Sequence, residues 1–158
     1  MILVKFDKEI KGTSTVEGHQ DWIIFESYSF NASRCIQVQG DDRDVGHAFI
    51  SELMLTKGAD KTSPEFFIQS LTGTALSKAT VVVMHPAGTS KTAQILLSIE
   101  LEKPIISSFS TQCTTSSRPS EHISLNFTSI KYKYNHFDGD VVKGAIEKKY
   151  DAIARRGV

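Results

Sequence analysis

Apolar and polar residues alternate most regularly over positions 120–134, which makes this stretch the clearest strand pattern in the chain. From Ile123 to Phe127 the odd positions are apolar, whereas after residue 128 the even positions are, ending with Tyr132 and Tyr134. Side chains of a strand point alternately to its two faces. The change of phase therefore predicts either a β-bulge or a crossing of the strand from one surface to another.

Six shorter stretches repeat this alternation, and we predict a strand in each. They are Ile2–Lys8, Trp22–Phe30, Ala48–Lys57, Thr80–Met84, Ala93–Leu101 and Ile105–Gln112. The fifth also fits a helical stripe, but a helix would leave Ile95 and Ile99 on its polar side, so the pattern favours a strand. In the second, Ser27 and Ser29 face away from the core if Tyr28 and its neighbour Phe30 enter it.

One helix is predicted, from Thr62 to about residue 72. Thr62 and Glu65 have the spacing of a capping box, Pro64 suits the first turn, and Gly73 can end the helix. The helix would carry a broad apolar face for packing on a sheet. That face comprises Phe66, Phe67, Ile68 and Leu71. The tail from Val142 to Val158 has the spacing of a helix, but its structure stays ambiguous at this point.

The stretch Gln39–His47 interrupts two strand patterns with charged residues and glycines. We predict an exposed acidic loop that is too long for a tight hairpin and projects from the fold. Its polar residues are Gln39, Gly40, Asp41, Asp42, Arg43 and Asp44. About seven short strands and one helix predict a mainly β fold, either an antiparallel sandwich or a barrel of two packed sheets. The length of 158 residues suits a single domain over residues 1–158.

Composition narrows the classes of function. Eighteen basic and eighteen acidic residues leave no net charge, which argues against a general binder of nucleic acid or of anionic membranes. No apolar run approaches the roughly 20 residues of a membrane helix, and the N-terminus lacks a secretory apolar segment. We expect folding in a cytoplasm, where Cys35 and Cys113 would be buried free thiols and not a disulfide.

No catalytic or cofactor motif is complete. The segment from Val81 to Thr92 has a strand, a glycine and a Ser-Lys-Thr sequence, but Gly88 is followed by Thr89 and has no upstream glycine partner for a phosphate-binding loop. A hairpin turn is the better interpretation. The five histidines lack the spacing of a helical metal pair, and no nucleophile elbow is present. The residues alone therefore predict a β-rich structural or binding protein without enzyme activity, cofactor or metal.

Four groups of residues, in order along nearly the whole chain, share the pattern of a known family. They are Ile10-Lys-Gly12 with Ser14, His19 and Trp22; Leu55-Thr-Lys57 with Asp60-Lys-Thr-Ser-Pro64; Ser124-Leu-Asn-Phe127 with Ile130 and Tyr134; and Lys143-Gly144 with Tyr150-Asp151. Together they resemble the Hcp family, the haemolysin-coregulated proteins that form the inner tube of the bacterial type VI secretion system.

The resemblance implies a compact β-barrel with a flanking helix and a strand in the tail. It also implies a homohexameric ring, stacking of rings into a tube, and effector proteins held in the lumen. The further partners would be the spike protein and the contractile sheath, with no nucleic acid and no insertion into a membrane. The protein would start in the bacterial cytoplasm and be secreted without an N-terminal signal peptide. Ser27 and Ser29 would line the lumen, and the loop with residues 39–44 would reach a neighbouring ring or subunit.

Two other classes of function remain open. A monomeric β-barrel module that binds proteins without catalysis would differ from a ring subunit in its native mass. An enzyme with a non-standard site would show a cleft in which polar groups converge.

Overall fold

The computed structural model describes residues 1–7, 10–85, 94–139 and 141–158. These residues form one helix, α1 (Ser63–Thr72), and thirteen strands. The strands are β1 (Ile2–Phe6), β2 (Ile23–Phe25), β3 (Ser27–Ser29), β4 (Ala32–Gln39), β5 (Asp42–Ile50), β6 (Leu53–Gly58), β7 (Lys78–Met84), β8 (Ile95–Glu102), β9 (Ile105–Gln112), β10 (Ser120–Asn126), β11 (Ser129–Asp138), β12 (Val141–Asp151) and β13 (Arg156–Gly157). The predicted mainly β fold with one helix is confirmed.

The strands form three antiparallel sheets. The largest has the order β13-β12-β11-β8-β7-β1-β2, the second has the order β3-β6-β10-β9, and the third is the pair β4-β5. In each of the two larger sheets the first and last strands of the order are not hydrogen-bonded to each other, so the described strands form open sheets and not a closed barrel. The core lies between the two larger sheets. It includes Val4, Val81 and Ile99 of the first sheet and Leu55 and Ile123 of the second, all buried.

The chain crosses between these two sheets four times. Two of the crossings, from β2 to β3 and from β10 to β11, lie within a continuous strand pattern and shift it by one residue. Phe25 in β2 is buried, yet the next inward side chain, in β3, is Tyr28. Likewise the buried Phe127 is followed by the buried Ile130. The phase change in the long C-terminal pattern is thus a crossing between surfaces. The crossing from β2 to β3 divides the predicted strand Trp22–Phe30 in the same way. As a result Ile24 is 43% exposed, although the alternation placed it on one face with Tyr28.

Other predicted boundaries agree with the structure to different extents. Strand β9 has the predicted bounds, the stretch after residue 94 is a strand and not a helix, and the tail contains the strand β12. The predicted strand Ala48–Lys57 is divided at Ser51 and Glu52 into β5 and β6. Both cysteines are free, but both are exposed, so the predicted burial of their thiols is wrong. Of the turn expected at residues 85–88, residues 86–88 lie outside the described part of the chain.

The predicted acidic loop Gln39–His47 is wrong, because these residues belong to a regular hairpin. Strands β4 and β5 pair from Ala32 opposite Ile50 to Gln39 opposite Asp42, with an irregularity after Arg34. Only Gly40 and Asp41 form the turn. Gly40 has a φ of 60°, which glycine adopts without strain at the first central position of a two-residue hairpin turn. The expected projection into solvent holds, because residues 31–45 are all exposed.

Helix α1 begins and ends as predicted, but it is fixed by different contacts. Gly73 is left-handed with a φ of 64°, and its N–H bonds the carbonyl of Gln69. Thr62 makes no side-chain capping bond; its hydroxyl bonds the carboxylate of Asp60 instead. The predicted capping box is therefore absent.

Only one residue of the predicted apolar face of α1 enters the core. The ring of Phe66 is fully buried and lies edge-on to Phe6 and Phe25, at centroid distances of 5.7 and 6.2 Å. Phe67, Ile68 and Leu71 are 53%, 45% and 70% exposed. The expectation that the whole face packs on a sheet is thus wrong, and most of it points away from the chain's own core.

A buried ion pair links two strands of the four-stranded sheet and also contacts the turn that precedes α1. The Nζ of Lys57 lies 2.6 Å from Glu121 Oε2 and 3.1 Å from Asp60 Oδ1, and it faces the ring of Phe66 at 5.5 Å. Lys57 and Glu121 are 1% and 2% exposed, and they are directly opposite each other in β6 and β10. Burial opposes ionisation of Asp60, but hydrogen bonds from Thr62 and the ammonium of Lys57 outweigh it and lower the pKa of Asp60.

Replacing Lys57 by methionine should leave the carboxylate of Glu121 buried without its cation. Removing one partner of a buried pair costs about 3–5 kcal/mol, so we expect the free energy of unfolding to fall by about that amount. Urea unfolding followed by circular dichroism measures the change. The exposed neighbour Lys61, also changed to methionine, is the matched control, and its variant should unfold like the wild type. Equal stability of the two variants would contradict a structural role of the pair.

Candidate interaction surfaces

The outward face of the four-stranded sheet carries mostly hydroxyl groups. Strand register places Ser27, Thr56, His122 and Ser110 in one row, and Ser29, Met54, Ser124 and Ser108 in the next. Six of these eight residues are serine or threonine, and we call the set the hydroxyl face. The row between them, Tyr28, Leu55, Ile123 and Phe109, points inward to the core. This sheet thus has one apolar face and one neutral polar face.

Ser27 and Ser29, the two residues predicted to face away from the core, both belong to the hydroxyl face. They lie on the short edge strand β3 and are exposed, and the hydroxyl of Ser27 bonds that of Thr56. Tyr28 between them packs against the core, and burial, with Tyr132 beside it, raises its pKa. The alignment of Thr56, Ser108 and Ser110 with Ser27 and Ser29 could not be predicted, because it depends on a register between distant strands.

Among the described strands, both edges of the four-stranded sheet are unpaired, and each has an exposed apolar element beside it. Strand β3 forms one edge and leads through Phe30 and Asn31 into the β4-β5 hairpin. Strand β9 forms the other edge and packs against α1, with the rings of Phe109 and Phe67 6.4 Å apart. Open strand edges expose backbone N–H and C=O groups that can pair with another chain.

The β4-β5 hairpin has two unlike faces. One carries Ile36, Val38 and Val45, which are 55%, 67% and 55% exposed, with Arg43 opposite Val38. The other carries the polar residues Gln37, Gln39, Asp42 and Asp44. The predicted contact residues 39–44 therefore lie at the end of an exposed arm, with Arg43 on its mostly apolar side and Gln39, Asp42 and Asp44 on its polar side. An exposed apolar stripe of this kind is typical of a surface that another protein covers.

The outer face of the seven-stranded sheet carries charges that pair within the chain. Lys78 and Lys131 each lie 3.3 Å from a carboxylate oxygen of Glu100, and Lys149 lies 2.8 Å from Glu102. Burial opposes ionisation of Glu100, but the two lysines outweigh it and lower its pKa. This part of the face is polar and largely self-neutralised, whereas Leu3 and Val82 of the same face form a small apolar cluster with Val16 and Trp22.

No catalytic arrangement is found in the described part of the chain. Among residues 1–7, 10–85, 94–139 and 141–158, no three or more His, Cys, Asp or Glu residues are placed to hold a metal ion. The ring of His19 lies edge-on to Trp22 at 4.7 Å, and His122 and His136 are exposed. Of the helices formed by these same residues, none combines the length and the apolar character required to span a membrane.

Comparison with known proteins identifies the fold and the family. The family model described as "Type VI secretion system effector, Hcp" matches residues 4–134. A solved type six secretion system protein has a TM-score of 0.91 at 20% identity, with 99% of this chain and 98% of that chain covered. Hcp1 from Salmonella typhimurium has a TM-score of 0.76 at 22% identity, with coverage of 99% and 97%. A type VI secretion system effector from Yersinia pestis has a TM-score of 0.75 at 21% identity, with coverage of 96% and 99%.

The open β-sheets, single helix and solved relatives define a type VI secretion system fold. Because the family model spans most of the chain, this chain belongs to the Hcp family. A comparison with curated protein sequences finds no match.

Proposed function

We propose that this chain is a single-domain tube subunit of a bacterial type VI secretion system, without catalytic activity. Six copies form a ring, rings stack into a tube, and the tube leaves the cytoplasm through the secretion system and carries effector proteins in its lumen. The observation that supports the proposal is the hydroxyl face, which lies between two unpaired edges of the described sheet. A sheet with open edges on both sides can be continued by further copies of itself.

Head-to-tail contacts explain why the two edges differ. In such a contact the β3 edge of one copy meets the β9 edge of the next, so the contact is heterologous and repeats until a ring closes. The hydroxyl faces of the copies would then form one continuous inner wall. The apolar surfaces beside the two edges would be buried in the same step, which supplies a hydrophobic contribution to assembly.

The inner wall suits a passage for other proteins. Serine and threonine hydroxyls make weak hydrogen bonds that a passing protein can exchange for water, since the net gain of one such bond is only about 0.5–1.5 kcal/mol. The self-neutralised outer face of the seven-stranded sheet would then face the contractile sheath, and the spike protein would close the end of the tube.

Native mass tests the ring. Light scattering at micromolar concentration should give six times the subunit mass of 17.5 kDa. Assembly buries the apolar side of the hairpin and of α1, so the ring should persist on dilution to low micromolar concentration. A monodisperse monomer would overturn the proposal and would favour a monomeric binding module.

The hairpin tip is proposed to contact a neighbouring ring or subunit. A variant in which residues 37–44 are replaced by Asn-Gly keeps the pairing of Ile36 with Val45 and preserves a two-residue turn. We expect an unchanged melting temperature but shorter stacks of rings in electron micrographs, because the removed residues are all exposed. A full-length control with Asp41, Asp42 and Asp44 changed to asparagine separates loss of charge from loss of reach. Insolubility of the shortened variant, or stacks of normal length, would contradict this role.

Ser29 is proposed to contact cargo in the lumen. Ser29→Gln should change the free energy of unfolding by no more than about 0.5 kcal/mol, because the side chain is exposed. It should reduce the amount of a cognate effector that copurifies with rings of confirmed hexameric mass, because the longer side chain crowds the inner wall. Glu17→Gln, an exposed change outside the hydroxyl face, serves as control. Equal retention of effector by both variants would remove Ser29 from the cargo surface.

A further inference from the structure

Two exposed apolar surfaces of unlike shape lie at opposite edges of the four-stranded sheet. One is convex, the outward side of α1 with Phe67, Ile68 and Leu71, and we call it the helix face. It lies beside the β9 edge, where Phe67 contacts Phe109. In a soluble protein the outward side of a surface helix is normally polar, so the helix face is the reverse of the expected pattern.

The second surface is concave and lies beside the β3 edge. It is a groove with a volume of about 310 Å³, lined by Phe30, Ile50, Ile130, Tyr132, Lys148, Lys149 and Tyr150. Phe30 directly follows β3, and Ile50 ends the hairpin strand β5. We call this surface the groove. Its accessible surface is almost entirely apolar, and it lacks the convergent polar groups by which small-ligand sites orient a ligand. Protein side chains fit it better than a polar small molecule.

We propose that the helix face of one subunit docks into the groove of the next subunit in the ring. This inference rests on the proposed function and adds the identity of the surfaces in contact. A head-to-tail ring brings each β3 edge to a β9 edge, so every interface brings together one groove and one helix face. One surface is convex and the other concave, both are apolar, and neither is covered within the described part of its own chain.

Charges beside the two surfaces agree with this pairing. The only charged residue within α1 is Glu65, whose carboxylate accepts a hydrogen bond from the Gln69 amide at 2.9 Å. At the rim of the groove, the ammonium of Lys149 pairs with Glu102, whereas the side chain of Lys148 has no hydrogen-bond or ion-pair partner among the described residues. Docking of the helix face would place Glu65 of one subunit near Lys148 of the next.

Cross-linking tests the contact in the assembled protein. In a background with Cys35→Ser and Cys113→Ser, the pair Leu71→Cys and Ile50→Cys is treated with a short bismaleimide. We expect a denaturing gel to show covalent species from dimer to hexamer. The control pair Leu71→Cys and Glu17→Cys uses an exposed residue far from the groove in sequence, and it should remain monomeric on the gel.

Two outcomes separate this inference from the ring itself. Rings of hexameric mass without cross-links would overturn the docking and leave the ring intact. The same conclusion would follow if the thiol introduced at position 71 reacted with a monofunctional maleimide as fast in rings as in dissociated subunits. Absence of rings in the wild type would instead overturn the proposed function.

Charge reversal provides an independent test that leaves the apolar residues unchanged. Glu65→Lys alone and Lys148→Glu alone should each raise the protein concentration at which half of the rings dissociate by about fivefold, because like charges then face each other. The double variant restores opposite charges and should return to within about twofold of the wild type. A double variant that dissociates as readily as the single variants would overturn the pairing of Glu65 with Lys148.

Discussion

A single buried ammonium group, that of Lys57, constrains much of the architecture. Lys57 follows Leu53 and Leu55 at alternate positions of β6, so its side chain must enter the core with theirs. A charge in that position needs a partner, and Glu121 supplies it from the directly opposite position of β10. A shift of one residue between β6 and β10 would move one of the two charges to the other face of the sheet. The ion pair therefore specifies the register on which both rows of the hydroxyl face depend.

The same ammonium group also sets where α1 begins. It contacts Asp60, whose carboxylate accepts bonds from the backbone and the hydroxyl of Thr62 in the turn before the helix. Phe66, one turn into the helix, places its ring against Lys57 and the core. The helix is thus positioned by charge at its start and by one aromatic ring on its inner side. That arrangement accounts for the outward direction of Phe67, Ile68 and Leu71.

Local patterns in the sequence were sufficient for the features that depend on neighbouring residues. The alternation of β9 and the proline and glycine around α1 predicted those elements with nearly correct bounds. Features that depend on distant residues could not be obtained in this way. The phase change after Phe127 indicated two possibilities, and only the pairing of β11 with β8 decides for a crossing. The residues Asp42, Arg43 and Asp44 disfavour a strand by composition, yet pairing with β4 makes them one. Likewise an apolar helix stripe does not reveal whether its own chain or another covers it.

The hydroxyl face has a consequence for how its contacts respond to the solvent. Seven of its eight residues, all except His122, are serine, threonine or methionine and carry no charge. Contacts to these seven positions do not depend on ionic strength, because no charged group is available there for salt to screen. An acidic and a basic protein lying against this face meet the same neutral surface, so their net charge does not decide which of them it accepts.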